Sequence, residues 1–429
     1  MTPTTPKYGD VHSHVIRAAV AIALVLGLAS DARAAKRWAF VVGIDDYDAL
    51  PKLETAVADA TKVARSFELA GFRVAAVVNP TAKELEEKWQ AFLQPLAPGD
   101  FAVVYFAGHG LQKTGANYLL ALDFARTDDP SVSAARLDRW IADLGGRKLA
   151  QRVIVLDACR NNPLGGTTAG LAAIENPAFG PDTYIIYATA PGRVARDGLF
   201  ATHFAREVAQ PGRRIDDVFN RTATDVRRES GGAQAPFAIN SGGLSVLYFT
   251  NPDRVEPLRL ARTDRCREAL PKLQDSVKAD PDDGPVLAAL GHCQIIESQP
   301  AAARRTLERA RRFVQLSPHV IETELALAAF EDGDVFDAKL RLLDARRTAP
   351  PEYVPARLLE GRILLKEGEY SRAIEVFDGL FQGITPASPE SRADLLRACT
   401  LLADAFGLNG AVDMERAQRG RCSAIASAR

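Results

Sequence analysis

The sequence has no excess of charge of either sign and contains very little cysteine. Its 429 residues include 53 lysines and arginines against 54 aspartates and glutamates, which gives a formal net charge of −1. A protein that binds nucleic acid through bulk electrostatics needs a basic surplus to neutralise phosphates, so no nucleic-acid partner is predicted. A hydrophobic content of 47% with 25% charged residues is typical of folded protein, and the length predicts two or three domains.

The apolar run at residues 18–29 is too short to span a bilayer, because a membrane-spanning helix needs about 20 residues. Basic residues Lys7 and Arg17 precede this run, and the small-residue pattern Ala32-Arg33-Ala34 follows it. This order predicts a secretory signal peptide over residues 1–35, with an uncleaved signal anchor as the alternative. The sequence therefore predicts export to the periplasm or beyond, and no integral membrane span after cleavage.

The five cysteines are unevenly distributed along the chain. Cys266, Cys293, Cys399 and Cys422 lie in the C-terminal half, whereas Cys159 is alone in the N-terminal half. Because an exported protein meets an oxidising compartment, the first four can pair and leave Cys159 as a free thiol. The spacing does not decide which cysteine pairs with which.

Residues 36–252 alternate between strand-like and helix-like segments. This alternation predicts right-handed βαβ crossovers and a largely parallel sheet flanked by helices on both faces, an α/β domain. In such sheets, ligands and chemistry gather at the carboxyl ends of the strands. Strands are predicted at 37–44, 72–78, 100–108, 151–158 and 182–190, and helices at 55–71 and 81–94, the second beginning at the N-cap Thr81.

Residues 253–410 are predicted to form a helical domain, in which residues 262–385 carry a repeat with a period of 35 residues. Each unit has a small residue, then an alanine 12 positions later, then a large residue four positions after that alanine. The pattern resembles tetratricopeptide repeats, with a generic array of helical hairpins as the alternative. Either way it predicts an all-α domain that binds a protein partner, followed by a tail at 411–429. The three units are Gly291–Ala303–Leu307, Ala326–Ala338–Leu342 and Gly361–Ala373–Phe377.

Two residues with nucleophilic or basic chemistry follow predicted strands. His109 in "AGHG" comes after the third strand, and Cys159 in "DACRNNP" comes after the fourth, 50 residues later. A cysteine nucleophile needs a histidine that takes the thiol proton and later protonates the leaving amine. A loop histidine and a small buried cysteine are the ordinary alternatives, but the equivalent positions favour a catalytic pair. The amides of Gly110 and Cys159 are candidates for holding the oxyanion.

Five blocks of sequence, in this order, resemble the bacterial caspase-like peptidases related to metacaspases. The resemblance extends over residues 36–250 and implies a caspase-like α/β fold, with His109 as general base and Cys159 as nucleophile. The G-x-S-x-G elbow of an α/β-hydrolase is absent from the sequence. The blocks are "KRWAFVVGIDDYDALPKLETAVADA" (36–60), "FAVVYFAGHG" (101–110), "NYLLALD" (117–123), "VIVLDACRNNP" (153–163) and "IIYATAPG" (185–192).

The same resemblance implies a preference for basic side chains. Metacaspase-like enzymes line the pocket for the residue before the cleaved bond with acidic side chains, and the matching positions here are Asp59 and Asp157. Carboxylates at these positions would hold an arginine guanidinium through charge-assisted hydrogen bonds. The alternatives are an exposed helix residue for Asp59 and a strand-end cap for Asp157.

The sequence thus predicts a cysteine endopeptidase that cleaves a protein or peptide substrate after Arg or Lys, with repeats that bind a protein partner. A catalytically inactive caspase-like scaffold that acts through its repeats is the alternative. No cofactor is predicted. No metal is predicted either, because three acids in a loop, here Asp123, Asp128 and Asp129, are usually solvated.

Overall fold

A computed structural model describes most of the chain between Ala35 and Ser427. Cys159 and Asp128 lie outside the described residues, and so do residues 1–34 of the predicted signal peptide. Within the part of the chain that is described, no helix has the length and apolar character to cross a membrane. The described residues are 35–125, 127, 129–158, 171, 183–190, 195–196, 198–210, 212–240, 248–350, 353–386 and 389–427.

A six-stranded sheet forms the centre of the N-terminal region. The described strands are β1 (Arg37–Gly43), β2 (Arg73–Val78), β3 (Phe101–Ala107), β4 (Gly110–Lys113), β5 (Ala116–Leu120), β6 (Ala134–Arg136), β7 (Gln151–Asp157), β8 (Thr183–Tyr187) and β9 (Phe237–Asn240). The order in the large sheet is β2-β1-β3-β7-β8-β9, and only the edge strand β9 runs antiparallel to its neighbour. The five predicted strands are therefore confirmed as the parallel part of this sheet.

A second, three-stranded antiparallel sheet of order β4-β5-β6 follows β3. Its strands have only four, five and three residues, too few for an alternating pattern to be recognised. This sheet was not predicted from the sequence. Its first residue is Gly110, which lies directly after His109, so the second sheet begins at the predicted site.

Helices cover both faces of the large sheet, as predicted. The described helices are α1 (Ala56–Leu69), α2 (Ala82–Leu93), α3 (Pro130–Ser133), α4 (Leu137–Gly145), α5 (Leu199–Val208), α6 (Ile215–Glu229), α7 (Pro252–Arg262), α8 (Cys266–Ala279), α9 (Gly284–Ile296), α10 (Pro300–Ala310), α11 (Pro318–Glu331), α12 (Val335–Thr348), α13 (Val354–Lys366), α14 (Tyr370–Gly383), α15 (Pro389–Leu408) and α16 (Val412–Ser427). Buried side chains of α2 and α4 pack on one face, and those of α1, α5 and α6 pack on the other. The predicted N-cap is also confirmed, since the Thr81 side chain accepts a hydrogen bond from the Glu84 amide.

The repeat pattern corresponds to contacts between paired helices. A Cβ atom on Gly291 of α9 would come within 2.6 Å of the Leu307 side chain on α10. A Cβ atom on Gly361 of α13 would come within 2.4 Å of Phe377 on α14. The small residue of each pair therefore makes room for the large residue of the next helix, as the sequence predicts.

Disulfide bonds join the cysteines of the helical region in two pairs, Cys266–Cys293 and Cys399–Cys422. The first bond joins α8 to α9, and the second joins α15 to α16. The hypothesis that these four cysteines pair is thus confirmed. Helix α16 is formed within the segment 411–429, which was predicted from the sequence to be a tail.

The helical region packs against the carboxyl end of α1. The Glu68 carboxylate accepts hydrogen bonds from the backbone amides of Gln315, Leu316 and Ser317 at 2.7, 2.8 and 2.9 Å. Arg254 of α7 donates to the Ala70 carbonyl at 2.9 Å and to Asp283, ahead of α9, at 2.6 Å. Buried polar contacts therefore connect the two regions.

Candidate active site

The register of the large sheet aligns the two strands that precede the predicted catalytic residues. Strands β3 and β7 are parallel neighbours, and their last residues, Ala107 and Asp157, face each other. His109 follows Ala107 by two positions, and Cys159 follows Asp157 by two positions in the sequence. The structure describes the chain on this side as far as Ala158, which is buried. Cys159 itself lies outside the described residues.

His109 is held by the loop that joins β1 to α1. Its backbone amide donates to the Tyr47 hydroxyl at 2.8 Å, and that hydroxyl donates in turn to the Leu120 carbonyl at 3.2 Å. The rings of Tyr47 and His109 lie in contact, with their centroids 4.7 Å apart. His109 is 7% exposed, so its position is fixed by buried neighbours.

The hydrogen bond of the His109 ring defines its tautomer. Nε2 lies 2.8 Å from the Pro51 carbonyl oxygen, which can only accept, so Nε2 carries the hydrogen. In the neutral ring, Nδ1 then holds the lone pair and is the nitrogen that can take a proton. Burial lowers the pKa of His109 below its usual 6.5, partly opposed by the hydrogen bond to Pro51. The ring is therefore neutral at pH 7, as a general base must be.

Tyr105, the fifth residue of β3, interacts with both predicted pocket residues, through a hydrogen bond with Asp157 and through the charge of Asp59. The Tyr105 hydroxyl donates to Asp157 Oδ2 at 2.7 Å. Burial, the charge and hydrogen bond of Asp157, and the charge of Asp59 together raise the pKa of Tyr105 well above its usual range. Tyr105 thus remains a neutral donor to Asp157, and Asp59 lies close enough for its charge to act on the same hydroxyl.

Asp59 is buried on α1 and has its own supporting contacts. It is 4% exposed, so the interpretation of Asp59 as an exposed helix residue is wrong. The Thr55 hydroxyl donates to Oδ2 at 2.7 Å, and Lys62 Nζ lies 3.7 Å from Oδ1. A Cβ atom on Gly198 would lie 3.6 Å from Oδ1, so the carboxylate lies beside the N-cap residue that precedes α5. A carboxylate near a helix N-terminus is favoured by the helix dipole.

The glycines that flank His109 are required by close neighbours. A Cβ atom on Gly108 would lie 2.7 Å from the Tyr47 hydroxyl oxygen, the acceptor of the His109 amide. A Cβ atom on Gly110 would lie 2.7 Å from the side chain of Leu171, which is buried in the core. Side chains at either position would displace the residues that surround the histidine.

The site is supported by three residues that were not predicted from the sequence, Tyr47, Pro51 and Tyr105. Tyr47 and Pro51 belong to a turn at the carboxyl end of β1, which is the edge of the sheet where ligands gather. That position was the available signal. Within the described residues, no group of three or more His, Cys, Asp or Glu side chains is arranged to hold a metal ion.

The sequence of residues 36–243 matches the family profile described as "Caspase domain". The chain carries a caspase domain. A stretch of 161 residues is 26% identical to the human (Homo sapiens) protein named "Mucosa-associated lymphoid tissue lymphoma translocation protein 1". This stretch covers 37% of this chain and 19% of the human protein. The chain therefore spans about a fifth of the human relative. This match supports a cysteine peptidase, and the mostly parallel sheet flanked by helices agrees with the predicted fold class.

Proposed function

We propose that this protein is a cysteine endopeptidase that cleaves peptide bonds after Arg or Lys, with His109 as general base and Cys159 as nucleophile. The observation that carries the proposal is the placement of the His109 ring. His109 follows the end of β3, the strand that neighbours β7, and its Nε2–H donates to the Pro51 carbonyl. Cys159 follows β7 by two residues in the sequence. A buried, neutral histidine with its lone pair on Nδ1 suits a base that must accept a thiol proton.

In the proposed reaction, Nδ1 of His109 takes the proton from the Cys159 thiol, and the thiolate attacks the carbonyl carbon of the substrate. The amides of Gly110 and Cys159 hold the oxyanion of the tetrahedral intermediate. The protonated histidine then gives its proton to the leaving amine as the C–N bond breaks. Water attacks the resulting thioester with His109 again as base, which releases the acid product and restores the thiol.

The two carboxylates near Tyr105 support a basic side chain before the cleaved bond. Asp59 is almost fully buried, and Asp157 is half-buried with Oδ2 held by Tyr105. An arginine guanidinium offers a planar set of donors that two such carboxylates can accept through charge-assisted hydrogen bonds. A substrate with Asp at this position would bring a third negative charge to the same place.

Covalent labelling tests the proposed nucleophile. A thiol-reactive peptidyl-arginine reagent is expected to label the parent protein and to leave Cys159→Ala unlabelled, with His109→Ala labelled at a much lower rate. Mass spectrometry of the digested protein identifies the modified residue. Absence of labelling that depends on Cys159 would favour the alternative, an inactive scaffold that acts through its helical region.

The preference for a basic residue is a separate prediction. We expect matched fluorogenic peptides ending in Arg to be cleaved, and those ending in Asp to be left intact. Asp59→Asn and Asp157→Asn should each lower kcat/KM for the Arg peptide by about tenfold or more, because a charge-assisted hydrogen bond contributes roughly 1.5–3 kcal/mol. Asp48→Asn, an exposed residue of the loop before α1, is the matched control. Equal cleavage of Arg and Asp peptides would overturn this assignment.

We also infer that the protein is exported and that its helical region binds a protein partner. The two disulfide bonds support export, because such bonds persist in oxidising compartments. The hairpin array supports partner binding, because stacked helical pairs present extended surfaces. Sequencing the N-terminus of the protein from its native host tests export, and an intact Met1 would contradict cleavage of a signal peptide.

A further inference from the structure

Helix α12 has two apolar faces on opposite sides. Ala338, Leu342 and Ala345 form the first face and are buried in the helical array. The second face lies on the opposite side of the helix and points into solvent. We name this face the outer stripe, and it consists of Phe336, Leu340 and Leu343, which are 82%, 52% and 53% exposed.

The spacing of the outer stripe is that of a helix-pairing seam. Leu340 follows Phe336 by four residues, and Leu343 follows Leu340 by three. This alternation of four and three is the d-a-d pattern by which two helices interlock their side chains. Single exposed apolar residues are ordinary, whereas three that adjoin on one helix face form a candidate contact surface.

Charges beside the outer stripe indicate what covers it. Lys339 lies on one side of the stripe at a g position, and Asp344 lies on the other side at an e position. When two copies of the helix run parallel, the g side of one faces the e side of the other. Lys339 of each copy then faces Asp344 of the other, which gives two ion pairs. When they run antiparallel, each g side faces a g side, and Lys339 meets lysine. The helix is therefore self-complementary only in the parallel orientation.

Both charged groups can reach a second copy. The Lys339 side chain is 54% exposed and contacts Glu367 at 2.9 Å, and the Asp344 side chain is 50% exposed and contacts Arg347 at 3.0 Å. Exposed ion pairs of this kind are worth little, so exchanging partners costs little. Asp337, also on the acidic side, is held by Arg304 and Arg341 and does not repel a neighbour strongly.

We propose that the outer stripe is a two-fold contact between two copies of this chain, with their α12 helices parallel. The contact covers about two helical turns on each copy, which places it among the small interfaces that form weak, concentration-dependent complexes. The helical region thereby joins two peptidase-like domains into a dimer through a surface separate from the candidate active site.

The association state in solution tests the proposal. The mass from sedimentation equilibrium of the full chain is expected to rise toward twice that of one copy as concentration increases. Phe336→Glu should hold the mass at one copy at every concentration, with an unchanged far-ultraviolet circular dichroism spectrum. Val132→Glu is the matched control, because Val132 is 83% exposed on α3, and this variant should associate like the parent. A parent chain that stays monomeric throughout, or a Phe336→Glu variant that dimerises normally, would overturn the proposal.

Charge reversal tests the orientation. Lys339→Glu replaces two attractive contacts with two repulsive ones and should raise the dissociation constant about tenfold. The double variant Lys339→Glu/Asp344→Lys restores both attractive contacts and should return the constant to the parent value. A dissociation constant of Lys339→Glu equal to that of the parent would indicate an antiparallel contact, in which a Glu–Glu pair replaces a Lys–Lys pair, and would overturn the parallel arrangement.

Discussion

His109 has both its backbone and its ring fixed before any substrate binds. The Tyr47 hydroxyl fixes the backbone amide, and the Pro51 carbonyl fixes the ring through Nε2, each at 2.8 Å. These two contacts come from a single loop, so one short segment determines both the position and the tautomer of the proposed base. Preorganisation of this kind removes conformational freedom that would otherwise be lost during catalysis.

The pH dependence of activity follows from the burial of His109. Burial lowers the pKa of the ring below 6.5, while the hydrogen bond to Pro51 acts in the opposite direction. The ring is neutral above its pKa and gains a proton as the pH falls, so the proton acceptor is lost on the acid side. We expect the acidic limb of the kcat/KM profile for an Arg peptide to have its midpoint below pH 6.5. A midpoint above that value would contradict the assignment of His109 as the base.

Tyr47 is predicted to act as a positioning residue. Burial raises the pKa of its hydroxyl, which stays neutral and both accepts from His109 and donates to Leu120. Tyr47→Phe leaves a buried amide without its acceptor, which costs about 1–3 kcal/mol. We expect kcat to fall by about tenfold, with KM nearly unchanged and the acidic limb displaced. Tyr184→Phe, a change at a different buried tyrosine, should leave both constants within about twofold, and equal effects of the two changes would argue against positioning by Tyr47.

At the scale of elements, α1 connects the candidate pocket to the helical region. Asp59 lies near its beginning, and Glu68 lies nine residues later, about 14 Å along the helix axis. The Glu68 carboxylate accepts three backbone amides directly ahead of α11, where the N-terminal charge of that helix favours an anion. The helix that carries one pocket carboxylate is thereby anchored at its other end by the start of α11.

Replacement of Glu68 tests this anchor. Glutamine has the same shape but only one oxygen, and its amide group donates where the three backbone amides also donate. We expect Glu68→Gln to lower the free energy of unfolding in urea by about 1–3 kcal/mol, since buried donors lose their acceptor. Glu87→Gln, on the exposed side of α2, is the control and should change stability by less than about 0.5 kcal/mol. Equal stability of the two variants would contradict the role of Glu68.

At the scale of the whole molecule, the features that were predicted correctly are those that a short stretch of sequence determines. Apolar runs predicted the parallel strands, Thr81 predicted the start of α2, and the period of 35 residues predicted which small residues face large ones. The short strands β4–β6 carry too few residues for such a pattern.

The contacts that complete the site and join the two regions could not be predicted from the sequence for a different reason. Tyr47 contacts a residue 62 positions away, and Glu68 contacts residues 247 to 249 positions away. Nothing in the neighbouring sequence of either residue indicates its partner. The sequence therefore predicts the strand ends that carry the proposed catalytic residues, and the fold supplies the residues that hold His109 in place.

The buried ion pair between Arg254 and Asp283 gives a test of how strongly the two regions depend on each other. Their side chains are 5% and 7% exposed, and Arg254 also donates to the Ala70 carbonyl just after α1. A Cβ atom on Gly71 would lie 1.7 Å from the Arg254 guanidinium, so the arginine fits only against a glycine. The pair therefore lies in the packed junction between the caspase domain and the helical region.

Asp283→Asn removes the ion pair with Arg254 but keeps the hydrogen bond that caps α9. Asp283 accepts from the Val286 amide as the N-cap of α9, and asparagine at that position caps equally well. The charge of Arg254 is left buried and uncompensated, so the free energy of unfolding should fall by about 3–5 kcal/mol. Asp334→Asn makes the same change at the exposed N-cap of α12 and should cost less than about 0.5 kcal/mol. Because Arg254 also donates to the Ala70 carbonyl of the caspase domain, peptide cleavage and helical circular dichroism should be lost at the same lower urea concentration. A variant no less stable than the control would show that the ion pair contributes nothing to stability.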